Sequence, residues 1–250
     1  MNNEKFEKKN ILVTGGTAGI GLGISKMLNE YNVHLTITGR NESKLNNISK
    51  EFKSANKNFN KAILADISKI NDITNLVQNL DILDGIVLNA GIIDYTPVKL
   101  ISEKKVLNLF STNVFSNFFL LQKLLQLKKI NKGASIVIIS SIAAKVGVPG
   151  TSIYAASKGA LNSYAKVLAS ELSLQKVRVN VVSPGVINTD LIENTKVTSD
   201  LQMKNLATKY PLGLGEISDI VNLVLFLLSE NSRWMTGSNI DIEGGYLLNN

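Results

Sequence analysis

A single rhythm constrains this chain more than any other feature. Short apolar runs recur at Ile11-Leu12-Val13, Val33 to Thr38, Ala62 to Ala65, Gly85 to Leu88, Ser135 to Ile139 and Arg178 to Val182, and longer stretches of helical character separate them. Most of these runs lack the strict apolar–polar alternation of a half-solvated strand, so they need cover on both faces. Helices are expected after the first run, through Ile20, Ile24, Met27 and Leu28, then over about 42–55, 72–80 and 103–127, and from Tyr154 to Ser173. Parallel strands require such crossovers, because two strands that point the same way cannot be joined by a tight turn. The fold class read from this is α/β, a doubly wound (Rossmann) parallel sheet with helices on both faces, in a single domain over residues 1–250.

No linker, repeat or low-complexity tract interrupts the rhythm. One long stretch stays irregular, the polar segment 188–210, and in a compact domain a loop of that length is expected to be a lid or substrate-binding segment. The helices 103–127 and 154–173 carry more apolar residues than one core-facing stripe needs, among them Leu107, Phe110, Phe115, Phe118, Phe119 and Leu120. That excess points to a homotetramer or homodimer, with plain core packing as the rival explanation.

Composition removes several chemistries. The chain has no cysteine, so disulfides, thiolate zinc sites and thiol nucleophiles are excluded, and a cytoplasmic setting is expected. Its single histidine, His34, stands inside the second strand with no partner spacing, so neither a serine–histidine triad nor a histidine metal site is expected. The net charge of +7 comes from scattered lysines without interleaved aromatics, a solvated surface rather than a nucleic-acid face. The first ten residues are polar, and the apolar run 223–228 is far too short to span a bilayer, so no membrane association is expected.

The residues Thr14-Gly15-Gly16-Thr17-Ala18-Gly19-Ile20-Gly21 follow the first strand directly and open the first helix. Glycines there allow a tight turn and close approach to a pyrophosphate, while the helix N-terminus supplies N–H donors. The second strand ends in Thr38-Gly39-Arg40-Asn41, where an acidic residue would otherwise bind a ribose 2′-hydroxyl. With no carboxylate there, and with Arg40 able to pair with a 2′-phosphate, NADP(H) is expected ahead of NAD(H). Farther on, Tyr154-Ala155-Ala156-Ser157-Lys158 puts Tyr154 and Lys158 one helical turn apart. A neighbouring ammonium favours a phenolate, which brings a tyrosine nearer to useful acid–base range. The pair Ser140-Ser141 ends the preceding strand, where open α/β sheets place ligands and a hydroxyl can meet a developing oxyanion.

In order and spacing, the loop 14–21, Asn89-Ala90-Gly91, Ser141, Tyr154-x-x-x-Lys158 and Pro184-Gly185 resemble the short-chain dehydrogenase/reductase family over nearly the whole chain, ending with Thr236-Gly237 and Gly244-Gly245. The resemblance implies an NADP(H)-dependent reduction of a ketone to a secondary alcohol. In that pattern Tyr154 is the general acid, Lys158 holds the nicotinamide ribose and lowers the tyrosine pKa, Ser141 orients the carbonyl, and Asn113 binds a water in a proton relay. The family's serine lies thirteen residues before its tyrosine, which selects Ser141 over Ser140. The cofactor positions implied are Gly15, Thr17, Gly19, Ile20, Gly21 and Arg40, then Asp66 at the adenine with Ile67, then Asn89, Ala90 and Gly91 along the cleft. Pro184, Gly185, Ile187 and Thr189 complete them, the last two at the nicotinamide carboxamide. Competing structural readings give Asp66 a helix cap, Asn89-Ala90-Gly91 a bracing role in the sheet, and Asn113 a helix kink.

The substrate implied is a small-molecule or acyl-carrier-bound ketone. Tyr210-Pro211-Leu212-Gly213 and the ending Ile240 to Gly245 most resemble the 3-oxoacyl-[acyl-carrier-protein] reductases. Leu214 stands where those enzymes usually have arginine, and Lys128, Lys129, Lys132 and Lys176 are the candidate substitutes for their carrier-docking arginines. A sugar, steroid or secondary-metabolite carbonyl is the alternative. A non-catalytic NADP(H)-binding sensor or scaffold is the reading from another class, though such proteins usually lose the serine, tyrosine or lysine that this chain keeps.

Overall fold

The structure, a computed structural model, describes residues 6–31, 33–55, 59, 61–188 and 207–248. Seven strands form one sheet: β1 (Asn10–Val13), β2 (His34–Gly39), β3 (Lys61–Leu64), β4 (Leu83–Leu88), β5 (Ile130–Ile139), β6 (Arg178–Pro184) and β7 (Asn239–Ile242). Their order is β3-β2-β1-β4-β5-β6-β7, and every pairing is parallel. The helices are α1 (Gly19–Glu30), α2 (Glu42–Ala55), α3 (Ile70–Gln78), α4 (Glu103–Phe110), α5 (Ser116–Gln126), α6 (Ser152–Glu171) and α7 (Ile217–Leu228).

Successive strand residues feed two different cores, as the period of two requires. Leu12, Ile86, Ile136 and Val179 pack with Leu76 of α3, Leu120 of α5 and Leu161 of α6. On the opposite face, Ile11, Val13, Val87 and Val137 pack with Ile24 of α1, Leu45 of α2 and Val224 of α7. Both faces are therefore dry, which is why these strands read as continuous apolar runs. The order of strands reverses between β1 and β4, and the crevice outside their carboxyl ends is where such sheets bind ligands.

Two features depart from the sequence reading. The strand rhythm continues to a seventh strand, with α7 as the crossover that precedes it. The apolar stretch 223–228 lies within α7, whose residues Val224, Leu225, Leu227 and Leu228 are buried against the sheet. The long helix expected over 103–127 is in fact α4 and α5 joined through a π-helical turn, Ser111–Phe115. Its widened turn is stabilised by side chains that serve loosened carbonyls: Ser116 Oγ donates to Thr112 O at 2.6 Å and Asn117 Nδ2 to Asn113 O at 2.7 Å.

No described helix is long and apolar enough to cross a membrane. Among the described residues, no cluster of His, Asp or Glu could hold a metal ion. Most of the irregular segment 188–210, including Thr189, lies outside the described residues.

Candidate active site

The glycine loop owes its shape to close approach. Gly15 has φ +64°, and a Cβ there would stand 2.9 Å from Ala90 Cα. A Cβ at Gly21 would fall 2.2 Å from Gly15 O and 2.3 Å from Asn89 Nδ2, so no side chain fits. Gly19, at φ +50°, faces open space with nothing within 4 Å. It begins α1, whose N-cap Ala18 offers no side-chain cap and whose first turn carries no acid. Uncapped N–H groups and the positive end of the helix dipole thus face a glycine-floored cradle, which suits a pyrophosphate.

Asn89 braces this cradle from below. Its Nδ2 donates to Thr14 O at 3.1 Å and to Gly15 O at 3.2 Å, while its main-chain N–H donates to Thr14 Oγ1 at 3.0 Å. Ala90 N adds a bond to the same hydroxyl at 3.2 Å. These bonds give Asn89 the bracing role, with its side chain directed at the loop. Gly91 comes next, and a Cβ there would lie 3.2 Å from Asn113 Oδ1 and 3.6 Å from Lys158 Nζ. Only a glycine leaves the floor of the cleft open above that lysine.

At the end of β2, Arg40 is exposed and makes no hydrogen bond or ion pair with another described residue. Asn41, not Arg40, serves the loop by accepting from Lys44 N at 2.9 Å. Asp66 accepts at Oδ1 from Ser68 N at 3.1 Å and Ser68 Oγ at 2.7 Å, a local turn rather than a helix cap. Burial pushes its carboxyl up, but the Ser68 bonds and the charges of Lys69 and Arg40 outweigh this and leave it below the usual range. Ile67 is buried in the core, so only its backbone is available to a ligand.

On the other side of the crevice, Ser140 and Ser141 have different tasks. Ser140 is buried, and its hydroxyl donates to Lys158 O at 3.2 Å, tying β5 to α6. Ser141 Oγ accepts from Ala143 N at 3.1 Å and also hydrogen-bonds with Tyr154. Lys158 is buried, with Nζ donating to Ile139 O at 2.9 Å and lying 5.7 Å from the centre of the Tyr154 ring. Burial, with no ion-pair partner among the described residues, holds its ammonium down to about 8. Burial also pushes the Tyr154 phenol up to about 12, opposed by the Ser141 bond and reinforced by Tyr95. A net lowering of Tyr154 by Lys158 is thus not found among the chain's own groups, because desolvation of the phenolate outweighs it. The raised phenol stays protonated at neutral pH, as a proton donor must.

Asn113 is fully buried in the π turn, and its side chain is committed. Oδ1 accepts from Ile92 N at 2.8 Å, and Nδ2 donates to Ile92 O at 2.9 Å and to Ser157 Oγ at 3.1 Å. A water at this residue would therefore have to use the remaining lone pair of the main-chain carbonyl, which already accepts from Asn117 Nδ2 at 2.7 Å. Pro184 is buried at the end of β6, and Gly185 is packed so that a Cβ would lie 3.0 Å from both Glu243 Cα and the Tyr210 ring. Ile187 is buried and bridged to Gly215.

Three side chains of the site escaped the sequence reading. Ser157 belongs to the same helical face as Tyr154 and Lys158, and its spacing could have revealed it. Tyr210 sits against Tyr246 with ring centres 4.8 Å apart, its hydroxyl accepting from Val186 N at 3.2 Å. Tyr95, in the loop after β4, had no local signal. Leu214 joins the apolar cluster of Ile142, Tyr210 and Tyr246, a place where an arginine would be desolvated. The proposed docking lysines are misplaced for their own cleft. Lys128, Lys129, Lys132 and Lys176 lie toward the amino-terminal ends of β5 and β6, at the edge of the sheet opposite Ser141.

A family model described as enoyl-(acyl carrier protein) reductase matches residues 15–247. The chain is 32% identical over 238 residues to a 3-oxoacyl-[acyl-carrier-protein] reductase of Rickettsia bellii, covering 95% of this chain and 96% of that one. It is also 32% identical to an uncharacterised oxidoreductase of Methylorubrum extorquens, over 96% of this chain and 98% of the relative. Among solved structures, a short-chain type dehydrogenase/reductase from Mycobacterium ulcerans matches with TM-score 0.90 at 28% identity, covering 98% of this chain and 92% of that one. A short chain dehydrogenase family protein from Francisella tularensis matches with TM-score 0.84 at 32% identity, over 96% and 99% of the two chains.

Proposed function

The chain belongs to the short-chain dehydrogenase/reductase family of oxidoreductases, most like its 3-oxoacyl-[acyl-carrier-protein] reductases, and from that premise we propose that it reduces a ketone to a secondary alcohol, reversibly, at Tyr154. The observation that carries this reading is the cluster at the sheet's carboxyl edge, where the Tyr154 phenol meets Ser141 and stands beside the buried Lys158 ammonium.

A bound nicotinamide cofactor would supply the hydride that the carbonyl carbon accepts. Gly15, Thr17, Gly19, Ile20 and Gly21 would hold its pyrophosphate at the start of α1. Asp66 and the Ile67 backbone would take the adenine side, and Ala90, Gly91, Pro184, Gly185 and Ile187 the nicotinamide side, with Thr189 assigned there by the family resemblance alone. Asn89 supports the loop from beneath. Arg40, exposed and without a carboxylate bound to it, favours NADP(H) over NAD(H) through pairing with a 2′-phosphate. The Ser141 hydroxyl donates to the substrate carbonyl oxygen and fixes its distance from Tyr154. Tyr154 then passes its phenolic proton to that oxygen as negative charge develops there. The transfer is downhill, because an alkoxide is a much stronger base than a phenolate. Lys158 stabilises the phenolate left behind, and Asn113 supports proton return through a water on its main-chain carbonyl.

The substrate class we favour is a 3-oxoacyl group, free or carried, in keeping with the name of the Rickettsia relative. We place the working form as a homotetramer or homodimer in the cytoplasm, joined through the apolar surface of α4, α5 and α6. The test is oxidation of NADPH, with NADH in parallel, against ethyl acetoacetate, an acyl-carrier thioester analogue, simple ketones and an enoyl thioester. Turnover of a ketone that Tyr154→Phe reduces at least about a hundredfold, with NADPH binding retained, is the expected result. Tight NADPH binding without turnover on any of these would instead favour the sensor reading.

A further inference from the structure

The segment after β4 runs beside the start of α6 and is tied to it at both ends. At one end Gly91 lies over Lys158, and Ile92 is clamped in both directions by Asn113. At the other, Thr96 N donates to Gly150 O at 2.7 Å, just before the turn that begins α6. The Thr96 hydroxyl is itself fixed, donating to Asp94 Oδ1 at 2.7 Å and accepting from Lys105 Nζ at 2.6 Å. Between Gly150, just before α6, and Lys158 within it stands Tyr154. Between Ile92 and Thr96 on the loop stands Tyr95.

The loop that carries Tyr95 therefore runs alongside the start of α6, where Tyr154 stands. Tyr95 is electrostatically coupled to both Tyr154 and Tyr210, each ionisation opposing the other. The other two hydroxyls are engaged, Tyr154 with Ser141 and Tyr210 with Val186 N. Tyr95 differs. The residue is 44% exposed, its hydroxyl has no hydrogen-bond partner among the described residues, and partial burial pushes its phenol up. The anchored neighbours on either side keep this donor in place without using it.

We propose that Tyr95 selects the substrate, its hydroxyl donating to a second oxygen that the substrate carries close to the reacting ketone, as in a 3-oxo ester or thioester. This rests on the ketone-reductase reading above. Tyr95 takes no proton in the reaction. It aligns the substrate by a contact that a plain ketone cannot make, and a site built around an oxygen discriminates against analogues that lack it.

The experiment compares ethyl acetoacetate with 2-heptanone, which has the same chain length without the ester oxygens, in the wild-type enzyme and in Tyr95→Phe. The variant is expected to lower the ratio of kcat/KM for the oxo ester over the plain ketone by about tenfold, the worth of one ordinary hydrogen bond, mainly through KM. A ratio within about twofold of wild type, whether both activities fall or neither does, overturns the proposal and leaves the reductase reading standing. A wild-type enzyme that reduces neither ketone overturns both.

Discussion

Burial holds the Lys158 ammonium down to about 8 and pushes the Tyr154 phenol up to about 12, so both groups are protonated near neutrality and the lysine is the first to lose its proton as pH rises. Below about pH 8 the ammonium is present to stabilise the developing phenolate; above it the charge is gone while Tyr154 is still a phenol. The pH profile of kcat/KM for ketone reduction should therefore be level on the acid side and fall by about tenfold per pH unit beyond pH 8. A profile flat from pH 7 to 9 would remove Lys158 from that role. At this scale the sequence was informative where spacing is local. Tyr154 and Lys158 share a helical face by arithmetic alone. The separate tasks of Ser140 and Ser141 were not legible without the family pattern, because neighbouring residues on an extended backbone point opposite ways and nothing local says which way is inward. Tyr95 was invisible for a different reason: its loop is brought beside α6 only by tertiary contacts of its neighbours.

Two elements carry more of the architecture than their sequences advertise. The π turn at Ser111–Phe115 places Asn113 so that both ends of its amide clamp Ile92, and a straight helix would rotate it away. The C-terminus of α7 is held by Arg178 at the start of β6. Its guanidinium is buried and donates to Leu227 O at 2.8 Å, Ser229 O at 3.1 Å, Ser232 O at 3.2 Å and Ser232 Oγ at 2.7 Å. These carbonyls sit at the negative end of the helix dipole, which makes them suitable partners for a cation with no carboxylate bound to it. Arg178→Ala would remove these four charge-assisted bonds and leave the carbonyls only their serine and main-chain donors, at a cost of about 2–4 kcal/mol. Urea unfolding should show that loss as a lower midpoint, with the NADPH-binding capacity per folded molecule preserved at low urea. An unchanged midpoint would mean that water replaces the guanidinium.

The whole molecule exposes apolar side chains where the sequence showed an excess: Leu107 on α4, Phe115 in the π turn, Phe119 on α5 and Val167 on α6. Phe118 and Tyr164 pack with ring centres 4.1 Å apart, which joins α5 to α6 across this surface. Sedimentation at micromolar concentration should show a dimer or tetramer, and Phe119→Glu should shift it toward monomer; a monomeric wild type would refute the assembly. The parallel sheet itself was legible from the outset, since apolar runs separated by helix-length segments admit few other solutions. The seventh strand was harder to read, because its residues Asn239–Ile242 are only half-buried at the sheet edge and carry no continuous apolar signal. By itself the sequence determined the class of fold, the glycine cradle and the Tyr154–Lys158 pair, all of which depend on periodicity or on spacing within one element. Only the tertiary structure decided that Asn89 braces the loop, that Asn113 clamps Ile92, that the candidate docking lysines lie far from their own cleft, and that the loop carrying Tyr95 is tied beside the start of α6. Those are distances between segments remote in the chain, and they exist only once the sheet has brought its carboxyl edges together.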